Sequence, residues 1–154
     1  MREINFVDAL NEAHFEEMEA NEKVIVMGED VELAYVFGVS KGLAERFGKD
    51  RVRDTPISEL GIVGAGVGAA MAGYRPIVEI MFMDFIMLAM DPLVNQAAKL
   101  RYMLGGQISV PLVVRTPGGG GVQYGPTHSQ CLEAWFMQVP GIKVAVPSDP
   151  GDAK

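Results

Sequence analysis

Cysteine occurs once in this chain, at Cys131, so no disulfide can form within it and a reducing compartment is the simpler setting. Cationic side chains are scarce as well: 13 Lys and Arg stand against 20 Asp and Glu, a net charge of -7. Phosphate contacts need a clustered surplus of Lys and Arg, which argues against nucleic acid as a partner. No uncharged apolar run nears the roughly 20 residues that cross a bilayer, which argues against a membrane-spanning role. The segment MREINFVDALNEAHFEEM carries neither an apolar secretory core nor an Arg- and Ser-rich transit pattern, and so predicts a cytoplasmic location. Internal repeats are lacking too.

What is present is enough apolar side chain, 49% of 154 residues, to fill the core of one domain. Phe6, Val7, Leu10, Ala13, Phe15 and Met18 recur at near-helical spacing, with Glu12, Glu16 and Glu19 on the other side and Asn5 and Asp8 placed as a capping pair. This predicts a first helix to about Asn21. Lys23 to Met27, ended by Gly28, reads as a buried parallel strand. A helix over Ser40–Phe47 follows, then a strand at Arg75–Met81, a helix from Asp91 to about Leu104, and a strand at Val110–Arg115. A glycine-rich loop, Gly118–Gly125, leads to a short helix near Gln130–Gln138 and a strand at Lys143–Val146. Such alternation means an α/β fold. The tail SDPGDAK reads as a loop entering another helix, as if the chain were the first part of something longer or were completed by another chain.

The stretch TPISELGIVGAGVGAAMAG, Thr55–Gly73, admits two readings. Gly64, Gly66 and Ala69 fit a dinucleotide fingerprint, and Asp84 follows at about the 20-residue distance of a ribose-binding acid. However, the residues before the glycines include Pro56, Glu59 and Gly61, which suit a central strand poorly. Alternatively a helix starts between Thr55 and Glu59, with Thr55 as cap and Pro56 in the first turn. Its glycines each cost about 0.8–1 kcal/mol relative to alanine, so close approach to another backbone or a ligand must compensate. On this reading Glu59 is either a solvated residue favoured by the helix dipole or a working acid. Apolar neighbours such as Ile57 and Leu60 desolvate a carboxyl, which lets it hold or share a proton near neutral pH.

The segments VIVMGEDV, FGVSKGLAERFG, RVRDTPISELGIVGAGVGAAMAGYRPIVEIMFMDF, QAAKLRYMLGG and RTPGGGGVQYGPTHSQ, in this order and spacing, carry a resemblance. Together they resemble the beta subunit of the thiamine-diphosphate-dependent decarboxylase component of 2-oxo acid dehydrogenases, of the pyruvate, branched-chain and acetoin types. The resemblance implies a parallel sheet flanked by helices, a transketolase-like pyrimidine-binding domain over residues 1–154. That domain would be incomplete at its carboxy-terminal end, with the following transketolase-like domain missing.

It further implies that Glu59 bonds the pyrimidine ring nitrogen of thiamine diphosphate and favours its imino tautomer, so that the cofactor can serve as an electron sink. Phe85 would pack against the aminopyrimidine, with Ile57 and Leu88 as further contacts. His128, in THSQ, would be the active-site histidine, acting as acid/base or touching a lipoyl group, whereas His14 reads as structural. The methionines of Met81–Met87 read as packing. No GDG followed by a distant Asn occurs, so magnesium and the diphosphate would be held by a partner alpha subunit in an alpha2beta2-type assembly. A lipoyl-bearing acyltransferase component and a small 2-oxo acid complete the implied partners. Asp30–Tyr35 departs from the family in being poorer in glycine. A dinucleotide-binding domain and a non-catalytic scaffold stand as the rival functions.

Overall fold

Asn5 and Asp8 cap the first helix as their spacing predicts: the Asp8 amide donates to the Asn5 side chain at 2.8 Å, and Asn5 Nδ2 donates back to Asp8 Oδ2 at 2.8 Å. Helix α1 runs over Phe6–Ala20, with Asn21 as its carboxy-terminal cap. The computed structural model describes residues 3–34 and 36–154; Met1 and Arg2 of the first helical pattern and Tyr35 of the Asp30–Tyr35 segment lie outside the described residues.

Four parallel strands follow the alternation of apolar runs and helices: β1 Val24–Gly28, β2 Val52–Asp54, β3 Arg75–Glu79 and β4 Val113–Arg115, in the order β2-β1-β3-β4. β1 is buried along its whole length, as a central strand covered on both faces must be. Its side chains alternate between two cores. Val24 and Val26 meet Met18, Leu43 and Val52 on one face, under α1 and α2, Leu43–Phe47. Met27 meets Ile62, Val63, Val78 and Phe136 on the other, under α3, Glu59–Met71, and α5, Glu133–Met137. The result is a layer of helices on each side of one sheet.

Several predicted elements differ in form. β2 was not anticipated by the apolar pattern, because two of its three residues are exposed. The strand expected over Val110–Arg115 begins only at Val113, since Pro111 has no N–H to give to a ladder. Asp91 to Leu104 is a π-helix, Asp91–Ala97, and then a short α4, Leu100–Met103, preceded by a 3-10 helix at Met83–Ala89. The strand expected at Lys143–Val146 does not form; the segment pairs with no strand and its Val144 and Val146 are exposed. α6, Pro150–Ala153, is capped by Asp149 and packs on α1. No helix among the described residues is long and apolar enough to cross a membrane.

Gly28 allows β1 and β3 to sit close at their carboxyl ends. A Cβ there would stand 2.9 Å from the Glu79 carbonyl oxygen and 3.0 Å from Glu79 Cβ. Because one of these neighbours is backbone, Gly28→Ala is expected to destabilise the fold by about 1–3 kcal/mol. Urea unfolding reads this directly, and an unchanged midpoint would mean that the two strands separate freely.

Candidate functional site

The strands end in Gly28, Asp54, Glu79 and Arg115, so chemistry-bearing residues collect along one edge of the sheet. From β1 the chain steps outward to β2, then crosses back over β1 to β3, so its direction reverses between β1 and β3. In open parallel sheets, ligands bind outside the carboxyl ends of the strands at such a switch point.

Glu59 stands at this edge as the first residue of α3. It is 7% exposed, and no protein group among the described residues hydrogen-bonds its carboxylate. Its position at the amino end of α3 favours negative charge. The apolar neighbours Ile57 and Leu60 extend into solvent, at 81% and 55% exposure. The expected capping role of Thr55 does not hold. Its amide donates to the Gly28 carbonyl at 2.9 Å, which ties it to β1, and its hydroxyl is buried without a hydrogen-bond partner among the described residues. Ser58 occupies the cap position instead, with no side-chain bond, and Pro56 lies ahead of the helix.

With the glycines of Thr55–Gly73 inside an α-helix rather than in a strand-to-helix turn, the dinucleotide fingerprint loses its phosphate loop. Gly66 has the close approach its helix position demands, since a Cβ there would stand 2.7 Å from Val78 Cγ2 and 3.1 Å from Leu112 Cδ1. Gly64 and Gly68 face open space.

Sequence reasoning passed over Glu29, the residue after the glycine that ends β1. Its carboxyl is pushed above the ordinary glutamate range, by burial first and then by the carboxylates of Glu59, Asp30 and Glu79. A carboxylate directly after a buried parallel strand was the signal that could have found it. Glu79 is also raised by burial, opposed by the guanidinium of Arg115, with which it forms a buried ion pair. Beside these, Asp30 and Ala34 both hold φ of 52°, a conformation uncommon outside glycine. The turn between them is braced where Asp54 Oδ1 accepts from the Glu32 amide at 2.7 Å.

The second part of the site lies on the 3-10 helix and the loop after β4. His128 packs edge-on against Phe82, with centroids 4.8 Å apart, and against Phe85 at 5.1 Å. Phe82 also meets Phe37 and Tyr124, so these five rings form one cluster. The Phe82 ring at its centre was not singled out by the sequence. Thr127 Oγ1 lies 3.1 Å from His128 Nδ1. A cavity of about 240 Å³ opens here, lined by Asp84, Phe85, Met87, Leu88, Thr127 and Gln130.

The structure thus brings Phe85, Leu88 and the His128 loop together. Glu59 and Ile57 do not line that cavity; they stand at the start of α3, a helix that packs against the 3-10 helix carrying Phe85. Of the methionines, Met83 is buried packing as expected, while Met87 is exposed at the cavity. His14 is buried on α1, with Nδ1 2.6 Å from the Leu10 carbonyl oxygen. Asp84 is buried too. Burial pushes its carboxyl upward, but hydrogen bonds from the Gln130 side chain, its own amide and the amides of Gln130 and Ser129 outweigh this and hold it below the ordinary range.

Comparison with known proteins gives a consistent relationship. The chain is 49% identical over 154 residues to the pyruvate dehydrogenase E1 component subunit beta-1, mitochondrial, of Arabidopsis thaliana, covering 99% of this chain and 42% of that protein. It is 49% identical to the 2-oxoisovalerate dehydrogenase subunit beta of Bacillus subtilis, covering 100% and 47%. It is also 47% identical to the acetoin:2,6-dichlorophenolindophenol oxidoreductase subunit beta of the same organism, covering 99% and 48%. The chain therefore spans less than half the length of each of these curated relatives. Among solved structures, a split gene transketolase, inactive beta4 tetramer, superposes with a TM-score of 0.74 at 19% identity, over 99% of this chain and 46% of that one, and shares the fold. The family model described as "Transketolase, pyrimidine binding domain" matches residues 2–154, and the chain belongs to that family.

Proposed function

We propose that this chain supplies the pyrimidine-binding half of a thiamine-diphosphate site in the beta subunit of a 2-oxo acid dehydrogenase. The observation that carries the reading is Glu59: a residue 7% exposed, whose carboxylate no group among the described residues hydrogen-bonds, at the switch point of a parallel sheet. A largely buried carboxylate that no described side chain or amide engages is suited to a donor supplied by a ligand. The donor set suits an aminopyrimidine, which offers a ring nitrogen to an acid and a flat face to an aromatic ring.

Glu59 holds a proton at that ring nitrogen, and Phe85 packs against the ring. Ile57 and Leu88 form the apolar rim; Leu88 is 59% exposed and open to such contact. His128 moves a proton at the reacting end or meets the lipoyl group, with Nε2 as the ring nitrogen that no group among the described residues bonds. When bound, thiamine diphosphate supplies the electron sink for loss of carbon dioxide from a 2-oxo acid.

Magnesium and the diphosphate belong to an alpha subunit in an alpha2beta2-type assembly. That subunit covers Ile57, Leu60 and the open face of α3 around Gly64 and Gly68, where apolar and side-chain-poor surface is now exposed. The acyl group passes to a lipoyl-bearing acyltransferase component. The domain is the amino-terminal part of a longer beta subunit, whose carboxy-terminal domain completes it.

Calorimetric titration of thiamine diphosphate with magnesium tests this. Binding is expected for the beta chain assembled with its alpha subunit and not for the beta chain alone, and titration with a nicotinamide dinucleotide should give no heat in either case. Dinucleotide binding, or no thiamine diphosphate binding by the assembled pair, would overturn the reading.

A further inference from the structure

Asp84 is a carboxylate at 3% exposure, and among the described residues no Lys or Arg pairs with it. A buried carboxylate without a cation persists only where several donors satisfy it. Here, apart from Asp84's own amide, the donors come from one short segment, Ser129 and Gln130. Gln130 Nε2 donates to Asp84 Oδ1 at 2.8 Å, and the Gln130 amide approaches Asp84 Oδ2 at 3.4 Å. Two backbone bonds close the same junction: the Met83 amide donates to the Pro117 carbonyl at 2.8 Å, and the Gly119 amide to the Gln130 carbonyl at 3.0 Å. The glycine-rich segment therefore leaves the 3-10 helix at Pro117 and returns to it at Gln130. Between these points the backbone is glycine-rich and conformationally permissive, with positive φ at Gly119, Gln123 and Gly125. His128 lies two residues before the returning end, where within the loop it has a long bond from its amide to the Gly125 carbonyl at 3.4 Å and the Thr127 hydroxyl at 3.1 Å from Nδ1.

We infer that Asp84 is a positioning residue: through Gln130 it clamps the end of the loop, and so holds the His128 ring against Phe82 and Phe85 with Nε2 left open. The inference rests on the proposed role of His128. The dinucleotide reading cast Asp84 as a ribose acceptor, whereas both carboxylate oxygens here are turned to the loop. An acceptor-only carboxylate is suited to this contact. An amide in its place would set an NH2 group against backbone N–H donors.

The test uses the assembled alpha–beta enzyme with Asp84→Asn and Gln130→Leu, each alone and combined with His128→Ala. If Asp84 acts through His128, both single variants lose 2-oxo acid turnover by up to about 100-fold, as expected for a misplaced catalytic group. Added to His128→Ala, they cause no further loss. Hydrogen exchange at the Ser129 and Gln130 amides should quicken in Asp84→Asn while the α3 amides keep their protection. Losses that multiply in the double variants, or unchanged exchange at Ser129 and Gln130, would overturn the positioning role. Wild-type turnover in His128→Ala would instead overturn the role of His128 itself, and the inference with it.

Discussion

Glu59→Gln is expected to lower 2-oxo acid decarboxylation by the assembled enzyme about 10²–10⁴-fold, the range for removing a positioned acid or base. The glutamine keeps the shape and an oxygen acceptor at the start of α3 but cannot hold the transferable proton. Binding should therefore survive better than turnover. The stability of the fold should change little. Losing a carboxylate at the amino end of a helix costs up to about 1 kcal/mol. In partial compensation, Glu29 is relieved of the nearby negative charge that helps to push its carboxyl upward. The measurement pairs kcat with a calorimetric titration of thiamine diphosphate. Wild-type turnover in the variant would remove Glu59 from the chemistry, whereas equal loss of binding and turnover would make it a binding residue only.

His14 gives the second large effect, on stability against pH. Burial, and then the nearby positive charge of Arg115, lower its pKa from 6.5 to about 4, against the opposing bond to the Leu10 carbonyl. Its Nε2 is buried without a hydrogen-bond partner among the described residues, so a second proton would place an unpaired charge inside the fold. The unfolded chain accepts that proton near pH 6.5 and the folded chain only near pH 4. Stability is therefore unaffected by His14 above about pH 6.5, falls as the pH drops through the window, and levels off below about pH 4. The loss across the window is about 3 kcal/mol. Unfolding by urea from pH 7 to 4 should show a steeper decline for the wild type than for His14→Leu, which has nothing to titrate there. Parallel declines would mean that the folded histidine takes its proton without penalty.

The two effects differ in how far the sequence pointed to them. Glu59 was legible because a helix cap region, a run of small residues and an acid with apolar neighbours coincide in eleven letters, TPISELGIVGA. That Glu59 lies beside Glu29, and that His128 meets Phe82 and Phe85, depends on chain segments tens of residues apart, and no local pattern encodes such contacts. Phe82 illustrates the difficulty: in MFMDFIM it is one apolar residue among several, yet it is the ring against which Phe37, Phe85, Tyr124 and His128 all pack.

By itself the sequence determined the α/β class, the helix cap at Asn5 and the buried strand β1, because these follow from a 3.6-residue period, a short apolar run and local hydrogen bonds. It overreached at Lys143–Val146, where a strand-like composition forms no ladder because strand formation depends on a neighbour. Only the tertiary structure decided the order β2-β1-β3-β4 and, with it, which strand ends face one another. That order brings Glu59 and Glu79 into electrostatic range of Glu29 and sets Asp84 against Gln130 across 46 residues of chain. The physical reason is that charge interaction and hydrogen bonding act through distance in space, and distance in space is set by the packing of the whole sheet.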